Sequence, residues 1–423
     1  MADVQNNQSL SNEASSQRRL SLWRNRDYLL LWGGQMVSLT GTGISQLAFP
    51  LLVLFLTGSP AQAGFAGALR SLPYLLLSLP AGALVDRWNR KKMMISCDIG
   101  RALTLVSIPF AFAIGHLTVF QLYVTSLLEG MFFVFFNLAE TASLRHVVDK
   151  EQLATAAAQN EATYNFTFLV SPLLGGVLYT AGRVLPFLAD AISYILSSCS
   201  LLLIRPSFQK ERTTPSSKLY KEILEGLSWL RHQPLICYIS LLTGCINLIF
   251  PCSELIVIVI AQQQHASPAF IGVIFAVGGV GSTLGALLSA PVQKKFSFGT
   301  TIIGVCWLMA LIWPLLAIAP NSFMVAVAFA GIVLVGPIYN VTQYSYRIVL
   351  IPDELQGRVN SVSRLISLCL QPLGLALTGV LLQRLGAQLT VLVFFVFLVV
   401  LAIATSLNSH VRHARPLAEI NAL

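Results

Sequence analysis

Ionisable side chains stand inside stretches that are otherwise apolar, and the candidates for chemistry among them are Arg70, Asp98, Arg101, Glu129, Asp190 and Glu254. In a water-free setting each is costly unless it pairs, exchanges a proton or meets a polar ligand. Asp98 and Arg101 are three residues apart, which on a helix sets them one turn apart and lets them pair. Glu129 and Glu254 lie deep within their apolar runs. Arg70 and Asp190 lie nearer the ends of theirs and are placed to pair with these acids or with each other. A desolvated carboxyl can take up and release a proton near neutral pH. Glu254 therefore has two open readings, a proton carrier with Glu129 second to it, or half of a permanent ion pair with Arg70.

Other chemistries find no residues to carry them. There is no Gly-x-Ser-x-Gly, no His-Glu-x-x-His and no phosphate-binding loop, so an enzyme is not expected. The seven cysteines fall in or beside apolar runs without ligand spacing, and the only close histidine pair, His410 and His413, has no further ligand nearby. No metal and no cofactor are expected. Gly278-Gly279-x-Gly281-x-x-x-Gly285 is not a dinucleotide fingerprint, because no strand precedes it and it lies within an apolar run.

The elements that hold these residues follow from composition. Of 423 residues 55% are hydrophobic and 11% charged, against about a quarter charged in a soluble protein. With a mean hydropathy of +0.72 the chain belongs in a bilayer. Apolar runs of spanning length fall near 28–56, 61–85, 93–115, 119–139, 157–180 and 184–204, then near 236–262, 268–290, 299–318, 321–347, 361–383 and 386–408. That predicts an all-α integral membrane protein of twelve transmembrane helices. If the N-terminus is inside, 23 of the 27 Lys and Arg fall in inner segments. The bias predicts a multi-pass protein of the cell membrane with both termini cytoplasmic, and it makes the net charge of +9 a matter of topology rather than nucleic-acid binding.

The runs divide as a tail (1–26), a first bundle (27–204), a linker (205–235), a second bundle (236–408) and a C-terminal tail (409–423). Residues 1–17 read as a disordered tail without the apolar centre of a signal peptide. In the linker, Leu219, Ile223, Leu227 and Leu230 recur at helical spacing, which predicts an amphipathic helix on the inner membrane surface that serves as a hinge.

The two bundles repeat one another. Ser45-Gln46-Leu47 matches Ser253-Glu254-Leu255, and Ser59-Pro60-Ala61-x-x-Gly64 matches Ser267-Pro268-Ala269-x-x-Gly272. Asn137-x-x-Glu140 matches Asn340-x-x-Gln343, while Asn160 and Pro172 match Asn360 and Pro372 at the same spacing. Gln46 is thus the repeat partner of Glu254 and is expected to face it. Gly82-Ala-Leu-Val-Asp86-Arg87-Trp-Asn-Arg90-Lys91 matches Gly285-Ala-Leu through to Lys294-Lys295, but only the first copy carries Asp86, Arg87 and Arg90.

Gly82-x-x-x-Asp86-Arg87-x-x-Arg90-Lys91 resembles the loop 2–3 signature of the major facilitator superfamily, with Asn89 where a glycine is common. The resemblance covers residues 20–408. Leu56-Thr-Gly58-Ser59, Leu79-Pro80-Ala-Gly82, Asp98-x-x-Arg101 and Pro352-Asp-Glu-Leu-x-Gly357-Arg358-Val359 look like the twelve-span macrolide and enterobactin-type exporter branch. It implies two pseudo-symmetric six-helix bundles that rock about a central site. Ser171-Pro172-Leu-Leu-Gly175-Gly176 looks like a degraded antiporter motif, and generic helix packing explains it nearly as well.

A latch at the inner face is expected from the loop. Gly82 permits close helix approach, Asp86 meets the helix N-terminus near Asn360 and Ser361, and Arg87, Arg90 and Lys91 neutralise it and face anionic lipid. Asp98 and Arg101 are expected to belong to that latch. In span ten, Asn340 and Gln343 are cavity candidates, while Tyr346 and Arg347 are expected as interfacial anchors. Phe132, Phe133, Phe135 and Phe136 are expected to meet lipid and neighbouring helices, some of them lining an apolar pocket.

The leading reading is a secondary transporter, a proton-coupled exporter of amphipathic drug- or siderophore-like small molecules, working as a monomer among membrane lipid. A facilitator or importer on the same fold, and a non-transporting membrane sensor or assembly factor, are the alternatives.

Overall fold

Helix starts are written in capping residues. The computed structural model describes residues 22–149, 152–205, 208, 219–352 and 355–414. Six helices come first: α1 (Arg26–Thr57), α2 (Pro60–Arg87), α3 (Arg90–Ala113), α4 (Val119–Val147), α5 (Leu153–Ala181) and α6 (Leu185–Leu203). The linker helix α7 (Leu219–His232) leads to α8 (Pro234–Ile249), α9 (Cys252–Gln263), α10 (Pro268–Lys295), α11 (Phe298–Ile312) and α12 (Leu315–Ile318). The chain ends with α13 (Ser322–Leu350), α14 (Gln356–Cys369), α15 (Gln371–Leu407) and α16 (Ser409–Arg412). No strand occurs among the described residues.

The repeated Ser-Pro-Ala-x-x-Gly is a helix start used twice. Ser59 accepts from the Gln62 N–H and Ser267 from the Phe270 N–H, each followed by a proline at the first helical position. Asn89, the departure from the loop signature, has its own local role: its side chain accepts the Lys92 N–H and caps α3. Prolines break the second half. Pro251 separates α8 from α9, and Pro314 separates α11 from α12, because proline cannot donate to the preceding turn.

Nine helical stretches among the described residues are long and apolar enough to cross a membrane. Helices α2 and α5, of 28 and 29 residues, match them in length. The last stretch, Gln356–Leu407, runs for 52 residues and turns back at Gly386, where φ 79° and ψ 176° leave the helical region. Two contacts demand the reversal. Gly374 packs on the backbone of Leu248, and Thr405 bonds Tyr238 Oη at 2.9 Å. Leu248 and Tyr238 are only ~15 Å apart along α8, whereas an unbroken helix would separate Gly374 from Thr405 by ~46 Å.

The helix ends collect on two faces. On the terminal face Asn25 Nδ2 donates to the Val147 carbonyl at 2.9 Å, and the Arg205 N–H donates to Asp27 at 3.1 Å. These bonds bring together the start of α1 and the ends of α4 and α6. On the opposite, distal face Gln264 Nε2 donates to the Ala319 carbonyl at 2.9 Å. The first six helices pack chiefly with one another, as do α8 to α15, and the two groups meet along α2 with α15 and α5 with α10.

Glycines set those cross-half contacts near the distal face. A Cβ on Gly64 would lie 2.5 Å from the Leu375 carbonyl oxygen, and one on Gly379 would lie 2.7 Å from that of Pro60. Gly176 and Gly272 seat α5 against α10 in the same way. The repeat-related Gly64 and Gly272 thus each receive a helix from the other half. Small residues let backbones approach where lipid supplies no hydrophobic drive between helices.

Several expectations are corrected here. The linker helix buries Gly226 and Leu230 against α14, with Gly226 against the Arg358 backbone and Glu225 paired with Arg358. Leu224 and Leu227 face outward, so the buried face is rotated from the stripe read in the sequence, of which the Leu219 and Ile223 side chains lie outside the described atoms. The tails at 1–21 and 415–423 also lie outside the described residues. Tyr346 and Arg347 are buried rather than interfacial. Tyr346 stacks on Phe298 at 3.9 Å between centroids, and Arg347 donates to Asn360 Oδ1 at 2.6 Å, which ties α13 to α14.

Candidate functional site

A cavity of about 530 Å³ lies between the two halves and reaches from Phe275 toward the terminal ends of α4 and α5. Most of its wall comes from α1, α4 and α5, while Glu254, Ile258 and Phe275 supply the second half's share. Glu140, Glu161 and Glu254 place carboxyls on the wall, and Arg101 is the one cation among its lining residues. Phe133, Phe136, Tyr164, Phe168 and Phe275 add aromatic surface. An apolar wall with a few convergent polar groups is the usual make-up of a small-molecule site.

Gln46 and Glu254, partners in the sequence repeat, both line this cavity, and the Gln46 amide faces the Glu254 carboxyl. Glu254 is half-buried and lines the cavity. Arg70 is the cation that faces it, yet the two make no ion pair within 4 Å among the described residues. The permanent Arg70–Glu254 pair is therefore absent from this conformation.

Behind the wall lies a charge cluster built by α3, α4 and α6. Arg101 Nε meets Glu129 Oε2 at 3.3 Å, and its guanidinium lies 4.0 Å from the Tyr194 ring centroid and 3.3 Å from Thr42 Oγ1. Asp190 accepts from Ser45 Oγ at 2.5 Å and from Ser193 Oγ at 3.2 Å. This corrects two expectations. Arg101 is bound to Glu129 instead of Asp98, because α4 brings Glu129 directly onto the guanidinium. Glu129 is 1% exposed and lies behind the cavity, not on it.

The loop signature divides. Gly82 makes no close approach: a Cβ there would meet no described atom within 4 Å. The Asp86 side chain lies outside the described atoms. Arg87 is exposed. Arg90 and Lys91 bond to backbone carbonyls of the first half, Arg90 also to that of Phe208 in the linker, and do not face lipid as expected. Arg90 Nη1 donates to the Ala142 carbonyl at 3.2 Å, and Lys91 Nζ donates to the Ile204 carbonyl at 2.6 Å. The Ile204 carbonyl lies at the C-cap of α6, where acceptors left open by the helix end attract a cation. Asp98 and Arg101 sit inside the first bundle at 0% and 2% exposure, away from a surface latch.

Of the motif in α5, Ser171 and Pro172 line the cavity, Gly175 packs on the Ile44 backbone, and Gly176 packs on α10. Asn340 and Gln343 are not in the cavity wall: Asn340 is exposed and Gln343 accepts from Arg347 at 3.5 Å. Their repeat partners Asn137 and Glu140 take those places instead. Glu140, Glu161, Asn137 and Tyr164 escaped the sequence reading. The Asn137-x-x-Glu140 repeat was the available signal, and no motif singled out Glu161 or Tyr164.

One contact between halves was not expected. Arg364 on α14 donates to Tyr74 Oη on α2 and lies 5.3 Å from the Tyr74 ring centroid, while Tyr74 packs on the cavity residue Phe133.

Solved structures that share this fold include transporters. A bacterial homologue of the iron transporter ferroportin, in an inward-facing state, superposes with a TM-score of 0.72 at 14% identity, covering 92% of this chain and 99% of that one. A bacterial homologue of the human lysosomal transporter Spinster, inward-facing and unoccupied, gives 0.71 at 15% identity over 92% and 97%. In sequence, the chain is 27% identical to the uncharacterized MFS-type transporter YfiS of Bacillus subtilis (strain 168), over 93% of this chain and 96% of YfiS. It is 25% identical to macrolide efflux protein A of Streptococcus pyogenes, over 92% and 97%, and 25% identical to the multidrug efflux pump Tap of Mycolicibacterium fortuitum, over 86% and 91%. The family model described as transmembrane secretion effector matches residues 18–421. This chain is accordingly a multi-pass membrane transporter of the major facilitator type, not an enzyme, and belongs to the transmembrane secretion effector family.

Proposed function

We propose that the protein exports amphipathic small molecules in exchange for protons, by alternating access of two bundles with twelve crossings in all. The observation that carries this reading is the shared cavity, whose aromatic wall carries Glu140, Glu161 and Glu254 and contains side chains from both halves. Aromatic faces suit the apolar body of such a substrate, and carboxyls suit a basic group on it. The efflux names of macrolide efflux protein A and Tap support outward transport of drug-like molecules.

The lysine and arginine bias favours a cytoplasmic terminal face, which makes the described conformation inward-facing: glycine clasps close the distal face, and the cavity extends toward the terminal one. Glu254 is the carboxyl proposed to exchange its proton for substrate, since it belongs to the second half yet faces Gln46 and Arg70 of the first. A proton there and a cationic substrate would compete for the same negative charge. The small residues of α5 serve as the packing seam between halves, and Asp86 as part of a latch that forms when the terminal face closes.

The test is flux of a drug and siderophore-like panel in proteoliposomes with an imposed pH gradient. Gradient-dependent uptake into inside-out vesicles is expected. Flux that ignores the gradient would point to a facilitator, and no flux of any compound would favour a sensor.

A further inference from the structure

The charge cluster behind the cavity holds more carboxyls than cations. Asp98, Glu129 and Asp190 gather around Arg101, all four between 0% and 2% exposed. Arg70 is the other cation, facing Asp190, and it also faces Glu254 across the halves. Asp190 is held by two serine hydroxyls, and Glu129 by Arg101 through one oxygen. Asp98 is different. Neither of its oxygens has a partner in hydrogen-bonding geometry among the described residues, although the Ser197 hydroxyl faces it from α6. Removing one ion from water costs several kcal/mol even after relaxation, and only an excellent partner offsets it. A proton removes that cost directly. A metal ion does not fit, because no three His, Cys, Asp or Glu side chains among the described residues are grouped to hold one.

We propose that Asp98 is a proton-binding site of this protein, separate from the cavity carboxyl Glu254 and filled from the cavity through Glu140. Glu140 lines the cavity and faces Asp98 from α4. The other titratable groups facing Asp98 are Arg101 and Cys97 on α3 and Glu129 on α4; α6 presents only the Ser197 hydroxyl. In the exchange the Asp98 O–H gives its proton to the Glu140 carboxylate, and Asp98 becomes the anion. That new charge competes with Glu129 for Arg101, and Arg101 forms part of the cavity wall. The proton and the substrate thus communicate through one guanidinium without touching.

The role of this site in transport rests on the proton-coupled reading above, but its occupancy does not. Infrared difference spectra of the purified full-length protein, stepped from neutral to alkaline pH, report a carboxylic C=O stretch directly. The band is expected to vanish on alkalinisation, to be missing from Asp98→Asn and to persist in Glu254→Gln. In Glu140→Gln it should persist but decay at least tenfold more slowly after a pH jump. An unchanged band in Asp98→Asn overturns the proposal. Should that variant misfold, isotope-labelled aspartate in the parent protein must shift the band, and the absence of a shift is equally fatal. Loss of pH-driven flux with the band intact refutes coupling alone, whereas intact flux without the band refutes the site alone.

Discussion

Gly272 seats directly on the backbone of Gly176 across the two halves. A Cβ on Gly272 would lie 3.2 Å from the Gly176 Cα and 2.5 Å from the Pro172 carbonyl oxygen. The obstruction is backbone, which cannot rotate aside as a side chain can. Overpacking of this kind costs about 1–3 kcal/mol. Gly272→Leu should therefore move the conformational balance roughly tenfold toward a state open at the distal face. A cysteine placed at Ala61, in the first turn of α2, reads this as faster labelling by a water-soluble thiol reagent. Gly67→Ala is the control, because its Cβ would meet only the Leu375 methyls at 3.6 Å. Equal labelling of parent and Gly272→Leu would dismiss the clasp.

The Arg101–Glu129 pair predicts a specific pattern of stability. Breaking a buried pair by removing one partner typically costs about 3–5 kcal/mol, while replacing both with apolar residues is often nearly neutral. Arg101→Met is thus expected to lower the melting temperature of the purified protein strongly. Arg101→Met with Glu129→Leu should recover much of the loss. If the double variant melts no higher than Arg101→Met, the two side chains are not coupled in the fold.

Glu254→Gln keeps the shape of the side chain and its contact with Gln46 but cannot release a proton. Substrate-induced proton uptake by vesicles should disappear in this variant, while downhill exchange of substrate survives. Undiminished uptake would remove Glu254 from the coupling scheme.

The open space at Gly82 sharpens the latch proposal. Because a Cβ there meets no described atom within 4 Å, Gly82→Leu fits the described conformation. If the latch closes in the opposite state, Gly82→Leu and Asp86→Asn should both slow the transport cycle several-fold, with insertion and expression near parental. Parental transport rates in both would end the latch reading.

The charged side chains show where sequence reasoning stops. Arg101 and Asp98 are one turn apart, and local spacing alone paired them. The pair that forms, Arg101 with Glu129, joins residues 28 apart in sequence, and nothing local selects it over Asp98. Asn340 and Gln343 were read as cavity residues by type, but rotation of α13 leaves Asn340 exposed and Gln343 on Arg347. The matching Asn137 and Glu140 face the cavity. A repeat equates positions along the chain, and it does not equate their surroundings once the halves adopt an asymmetric state.

Read alone, the sequence determined the membrane-embedded helices, the doubled architecture and the transporter family. The helices depend on composition, the length of apolar runs and short-range capping, all of which act within one helix or its ends. The doubling is carried by matched motifs, and the family by the resemblance of the Gly82–Lys91 loop signature. Ser59-Pro60 and Ser267-Pro268 start helices wherever the rest of the chain lies. Tertiary structure alone decided which carboxyl meets which guanidinium, which helix faces reach the cavity, and which face is clasped shut. These depend on helix rotation and on contacts between distant segments, where a shift of one residue turns a side chain by about 100°. Asp98 is the clearest instance: its spacing suggested a partner, and only packing left its carboxyl buried without a hydrogen-bond partner among the described residues.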